Sequence, residues 1–300
     1  MPLLQAITAH TAYLPGANNL GFIMTGDGGA IVIDTGMDKD TGRSIRKALD
    51  EARLSLLAIL NTHHHADHIG GNAFLQNAFP QARTYATKLE AALITNPILE
   101  PVYLHHGAAP HTALQSKWLM AKPSRVDQLI EGAQLPIAGI DLEVIALAGH
   151  SLQQIGIVYE GVCFAADGFF GPAVLAKHGI PYAQDVDGQR AALEYLRGRN
   201  EHYFLPGHGE LTRHADLAEV LDANTAAIAI AADAVYTALE SPADLATIAA
   251  RVRWALQLTM SGVPQYAIYL SVIAAHLTAL ERAGKAAPTL EEHGIIWSRK

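Results

Sequence analysis

The run Thr62-His63-His64-His65-Ala66-Asp67-His68 constrains this chain more than any other segment. It sets three imidazoles and a carboxylate in the order His-x-His-x-Asp-His, directly after the apolar segment 56–60. So many polar rings beside a buried strand need a common partner. Imidazole is the commonest neutral ligand for divalent metals, and a carboxylate adds a hard oxygen donor. In an extended backbone alternate side chains face the same way, so His63 and His65 turn together and His64 turns away from them. Asp67 and His68 follow about a turn later and can serve a neighbouring ion. The spacing predicts two adjacent metals rather than one closed structural site, and a fold that brings further ligands from a distance.

Those ligands can be sought downstream. His150 stands in Leu147-Ala148-Gly149-His150-Ser151, Asp167 in Phe164-Ala165-Ala166-Asp167-Gly168, and His208 in Phe204-Leu205-Pro206-Gly207-His208-Gly209. Each follows a short strand-like run and sits at a glycine-containing turn, where strand ends project functional groups. Upstream, Ile31-Val32-Ile33-Asp34-Thr35-Gly36 has the same form. With these motifs in this order, the chain closely resembles the metallo-β-lactamase superfamily over roughly the first seven-tenths of its length. The resemblance implies an αββα sandwich, an α/β (α+β) fold of two facing sheets with helices outside. It assigns His63, His65 and His150 to a first metal, Asp67, His68 and His208 to a second, and Asp167 to a bridge between them. Asp34 is not a ligand in that pattern. It supports the histidine loop from behind, as an acceptor for the second ring nitrogen of a ligating His.

Half of the 300 residues are hydrophobic, enough for a sizeable core. The net charge of −8 argues against nucleic acid, whose phosphates demand a basic surface. The single cysteine, Cys163, lies between Val162 and Phe164 and reads as a buried small hydrophobe, compatible with a reducing compartment. The opening residues show neither a basic region nor a long apolar core, so no secretory signal is expected. No stretch is expected to span a bilayer; the Ala-rich segment 225–238 is broken by Asp233. A cytoplasmic location follows by default.

Along the chain, strands are predicted at 20–24, 30–34 and 56–60, and helices at 38–49, 69–79 and 189–197. Segment 95–125 is longer than an ordinary connector and is broken by four prolines. Its reading is a lid over a substrate cleft, with Tyr103, His106 or Trp118 touching the ligand. A metal at His105, His106 and His111 is less favoured, because no carboxylate accompanies them. Lys177 and His178, in the loop that leaves Asp167, are further substrate candidates; Lys177 suits a carboxylate or phosphate.

A domain boundary is expected near 211, with the catalytic domain over 1–211 and a helical one over 212–300. Ser241-Pro242-Ala243-Asp244 reads as a helix cap with proline at the first helical position. Another helix over 264–282 is stopped by Gly284, and Ile295-Ile296-Trp297 reads as a closing strand. Three helices and a hairpin resemble the small winged-helix-like domain appended to some hydrolases of the superfamily. Residues 266–280 contain no Lys or Arg, so DNA reading is not expected. His276 reads as packing.

The expected chemistry is hydrolysis by a dinuclear metal centre, with metal-bound hydroxide attacking a thioester, ester or lactone. Asp67 would orient the water or relay a proton to the leaving group. The cofactors are two divalent ions, zinc first, with iron or manganese as alternatives. A carboxylate at Asp167 resembles the glyoxalase II, lactonase and phosphodiesterase types rather than true β-lactamases. Alternatives are a phosphodiesterase, an iron-dependent sulfur dioxygenase and an inactive binding or regulatory module. The partner is a small-molecule substrate, without nucleic acid or membrane, and a homodimer is the open alternative for assembly.

Overall fold

Short β-branched runs punctuated by glycine turns give two main sheets. The structure, a computed structural model, describes residues 3–300. The first sheet holds seven strands in chain order, from Gln5–Ala6 to Gln128–Leu129. Leu20–Met24 and Gly29–Ile33 pair antiparallel across the Gly26 to Gly28 turn. Gly29–Ile33, Ser55–Leu60 and Arg83–Ala86 then run parallel. Helix Lys39–Ala52 makes the first of these crossovers; Asp38 caps it by accepting from the amides of Asp40 and Thr41.

The second sheet reads Thr212–Arg213, Tyr203–Pro206, Val162–Ala166, Ile155–Tyr159, Ile140–Ala146, Gln134–Ile137. Val162–Ala166 is buried along its whole length, as expected of a strand covered on both faces. Ile31, Ile33 and Leu60 of one sheet meet Leu142, Ile157, Phe164 and Leu205 of the other in the central core. Outside, Ile45, Leu49 and Leu75 cover Phe22, Val32 and Ile59. On the far side Leu193, Leu196, Leu217 and Leu221 cover Leu147, Cys163 and Phe204. This is the αββα sandwich. The parallel strands of both sheets end at one edge, where Asp34, the histidine run, Asp167 and His208 all follow.

Several expectations need correction. The helix predicted over 69–79 is two short helices, Ala66–Ile69 and Asn72–Ala78. The break lies at Gly70 and Gly71, where the chain passes so close that a Cβ on Gly70 would stand 1.9 Å from the Met37 carbonyl oxygen. The cap expected at Ser241 lies at Asp244, whose carboxylate accepts from the Thr247 amide, so the helix runs Leu245–Ala255. Against the expectation of no bilayer-length apolar stretch, helix Val263–Arg282 has that length and composition. It carries Tyr269, Val272, Ile273 and Leu277 into a core shared with helices His214–Ala238 and Leu245–Ala255. The chain closes with the hairpin Ala286–Glu291 and Gly294–Arg299.

Candidate metal centre

Each candidate ligand is held by its neighbours before any ion is considered. Asp34 leaves its strand in the left-handed region, φ +59°, which turns the carboxylate back into the protein. There Oδ1 accepts from the Thr62 amide at 2.8 Å and Oδ2 from the Thr62 hydroxyl at 2.6 Å. Oδ2 also accepts from His68 Nδ1 at 2.8 Å, which leaves His68 Nε2 free to face the cleft. The same device recurs with main-chain acceptors. His150 Nδ1 donates to the Tyr182 carbonyl at 3.1 Å, and His208 Nδ1 to the Ala17 carbonyl at 2.8 Å. Both rings therefore turn Nε2 inward.

The structure brings the seven sequence candidates together. His63, His65 and His150 present one ligand atom each within 4.8 Å of one another, and so do Asp67, His68 and His208. His65 Nδ1 stands 2.8 Å from His150 Nε2. Asp167 lies between the groups: Oδ2 is 3.2 Å from His150 Nε2 and 3.6 Å from His208 Nε2, and Oδ1 is 3.4 Å from His68 Nε2. Gly207 makes the approach feasible, because a Cβ there would fall 2.3 Å from Asp167 Oδ1. His64 turns the other way, to Glu90 Oε2 at 2.5 Å.

Burial and charge divide the site. Burial pushes the His63 and His65 imidazoles well below their ordinary proton affinity, and the surrounding rings add to it. His150 is lowered for the same first reason. These three are neutral ligands in waiting. Burial would also lower His68 and His208, but the carboxylates outweigh it: Asp167 and Asp34 raise His68, while Asp167 and Asp67 raise His208 to about 9. Asp167 is pushed up by burial and pulled harder down by His208, His68 and His150, so it is ionised. Two buried atoms in this cluster, His63 Nε2 and Asp167 Oδ1, have no hydrogen-bond partner. Buried, unpartnered atoms of this chemistry within a cluster of imidazoles and carboxylates fit a divalent cation.

The other sequence candidates divide. Tyr103 comes near the run, with its hydroxyl 3.4 Å from His64 Nε2 and 3.2 Å from Gln184 Nε2. His178, at the end of helix Pro172–His178, has its pKa lowered by burial first and then by the charges of Lys177 and His208, while Lys177 beside it is exposed. Trp118 is 62% exposed, with the Lys117 ammonium 5.4 Å from its ring centroid, and Lys117 pairs with Asp38 at 3.1 Å. His106 is exposed. Neither Trp118 nor His106 has a hydrogen bond or ring contact with the cluster among the described residues. His105 and His111 meet edge to face at 5.2 Å. Segment 95–125 packs through Leu104, Leu114 and Leu119 on Ala267 and Ile268 of helix Val263–Arg282.

Sequence reasoning missed four residues here. The Tyr182 ring lies against His65 and His150, with centroids 5.2 and 5.1 Å apart. Glu90 receives the His64 ring and the Ser151 hydroxyl. Burial raises the Glu100 carboxyl well above the usual range, aided by Asp67 and Glu90. Asn18 aims its amide at Asp67, His68 and His208. Only Glu90 carried a signal, a carboxylate on the apolar face of the short helix Lys88–Thr95.

Residues 14–208 match the metallo-beta-lactamase superfamily. A hydroxyacylglutathione hydrolase of Aeromonas hydrophila is 34% identical over 140 residues, 47% of this chain and 42% of that protein. One of Gloeobacter violaceus is 26% identical over 203 residues, 62% of this chain and 69% of that one. The chain thus spans less than half the length of the first of these relatives. Among solved structures, a metallo-beta-lactamase family protein from Thermus thermophilus is 18% identical with a TM-score of 0.73, covering 99% of this chain and 97% of that one. A beta-lactamase domain protein from Burkholderia ambifaria is 20% identical with a TM-score of 0.72, covering 99% and 95%. At these identities the two structures speak for the fold, including its helical C-terminal part.

Proposed function

The chain belongs to the metallo-beta-lactamase superfamily, and from that premise we propose that it is a metal-dependent hydrolase of small thioesters, esters or lactones. The observation that carries the reading is Asp167 Oδ2, which lies 3.2 Å from His150 Nε2 of one triad and 3.6 Å from His208 Nε2 of the other. In the proposal His63, His65 and His150 hold a first divalent cation, and Asp67, His68 and His208 hold a second. Asp167 joins the two, and zinc is the first expectation for both. Bound there, the cations supply Lewis acidity to a substrate oxygen and make a water acidic enough to attack near neutral pH.

The protein supplies the rest. Asp34 and the carbonyls of Tyr182 and Ala17 fix three rings by their Nδ1 atoms, so the inward nitrogens need no reorganisation. Asp67, partly exposed at the cleft, is the group we assign to proton transfer toward the leaving group. The rings of Tyr182 and Phe170 lie against His150, at 5.1 and 5.6 Å, and exclude water from that side. Cys163, the single thiol, is fully buried and burial raises its pKa, so no covalent thiol route competes. The division into a catalytic domain over 1–211 and a helical domain over 212–300 belongs to the same proposal. In it the helical part covers the sandwich rather than reading nucleic acid.

A thioester preference follows the named activity of the relatives at 34% and 26% identity. The test is a panel of an acylglutathione thioester, a simple aryl ester, a lactone and a phosphodiester, assayed with the ion content of the protein measured in parallel. Turnover of the thioester or lactone that chelation removes and divalent ions restore is the expected result. Oxygen uptake with a single iron per chain, or turnover of the phosphodiester alone, would overturn it.

A further inference from the structure

Asn18 stands inside the second triad although no motif announces it. It is 8% exposed, in the turn before strand Leu20–Met24. Its Nδ2 lies 3.1 Å from Asp67 Oδ2, 3.2 Å from His68 Nε2 and 3.3 Å from His208 Nε2. These three groups are the Asp67-His68-His208 triad itself. An amide nitrogen has two protons, so it makes at most two straight hydrogen bonds to these three neighbours. Hydrogen bonding alone therefore does not account for a position equidistant from all three.

Coordination geometry does. Adjacent ligand atoms on one cation with bonds of about 2.0–2.1 Å stand roughly 2.8–3.4 Å apart. The three distances from the Asn18 amide match such separations, and so does the 3.1 Å between Asp67 Oδ2 and His208 Nε2. The amide thus stands at a ligand's distance from every member of the triad, a position additional to that of Asp167. The turn is tied to the loop that carries His208. Asn19 donates to the carbonyls of Pro206 at 3.0 Å and Gly209 at 2.6 Å, and its amide N–H to the Gly207 carbonyl at 2.8 Å. The Ala17 carbonyl receives His208 Nδ1. A half-turn about Cβ–Cγ puts Oδ1 where Nδ2 lies, at little steric cost.

We infer that Asn18 is a ligand of the second cation, binding through Oδ1. The inference rests on the two-cation reading above. It makes the two positions chemically unlike. The first is held by three imidazoles and one shared carboxylate oxygen, while the second adds the Asp67 carboxylate and an amide oxygen. The second position is the harder of the two and favours oxygen-seeking ions such as manganese or iron more than the first does.

The experiment is titration of metal-free protein with Zn2+ by calorimetry and with Co2+ by visible absorption, which reports the ligand field of each equivalent. Wild type should take two ions. Asn18→Ala should bind the first unchanged and the second at least about 10-fold more weakly, with altered cobalt bands for the second equivalent only. Asn18→Asp, which keeps an oxygen at the same position, should restore or tighten the second step. An Asn18→Ala protein with two wild-type steps and an unchanged cobalt spectrum overturns the Asn18 inference alone. So does an Asn18→Asp protein as weak as the alanine variant. Wild type that takes up a single ion overturns the two-cation reading and this inference with it.

Discussion

Asp34 and Asp167 are both buried carboxylates just past the end of a strand, each 3% exposed. Their partners separate them. Asp34 engages both oxygens, with Thr62 and with His68 Nδ1, and so holds the histidine run in place. Asp167 keeps Oδ1 without a partner and holds Oδ2 between imidazoles of both triads. Removing them should therefore do different things. Asp167→Ala should lose at least one ion and nearly all turnover, because a ligand shared by two positions is gone. Asp34→Ala should keep both positions while loosening His68, with metal affinity weaker on the order of 10–100-fold. Parallel measurement of bound metal and turnover checks the pair. Full activity in the Asp167 variant, or complete metal loss in the Asp34 variant, would reverse these two roles.

Elements were legible where one segment concentrates its own signal. The run from His63 to His68 packs its ligands into six positions, and strand Leu56 to Leu60 before it is apolar enough to be read directly. Asn18 was not legible, because its meaning depends on hydrogen bonds that Asn19 makes to residues 206 and 209, remote in sequence. The break at Gly70 and Gly71 was also hidden: the apolar spacing continues across it, and only the close pass of Met37 demands it. His276, on helix Val263–Arg282, reads as packing from its sequence neighbours, and its burial to 2% agrees. The structure adds that it lines a cavity of about 190 Å3 with Arg190, Asp233 and Lys285. Burial, with Arg190 nearby, lowers its pKa to about 4. Unfolded, the ring titrates near 6.5, so between those values the unfolded chain binds more protons. Stability from this group is complete above about pH 6.5 and is lost as pH falls toward 4. Urea unfolding should show His276→Leu losing about 2 kcal/mol less than wild type between pH 7.5 and 5. Identical pH dependence in the two proteins would mean that the ring takes up its proton as readily in the fold as in the unfolded chain.

Across the whole molecule, the candidate ligands come from opposite layers. His63, His65, Asp67 and His68 follow strand Ser55–Leu60 of the first sheet. His150, Asp167 and His208 belong to loops of the second. Cations at this edge would tie the two sheets together where their parallel strands end, beyond the reach of the central apolar core. An unfolded chain keeps only the local run from His63 to His68 and cannot gather His150, Asp167 and His208 with it, so binding favours the folded state. An ion at about 100 times its dissociation constant then adds about 2.7 kcal/mol. With an unfolding entropy of about 2.1 cal/mol/K per residue, this corresponds to about 4 °C in melting midpoint for each ion. Thermal unfolding in chelator and in rising Zn2+ should show a midpoint that climbs with the logarithm of free metal. The climb should be smaller in Asp167→Ala, where the ligand shared by both positions is gone. A protein that binds metal stoichiometrically yet melts at the same temperature with and without chelator would show that the unfolded chain holds the ions equally well.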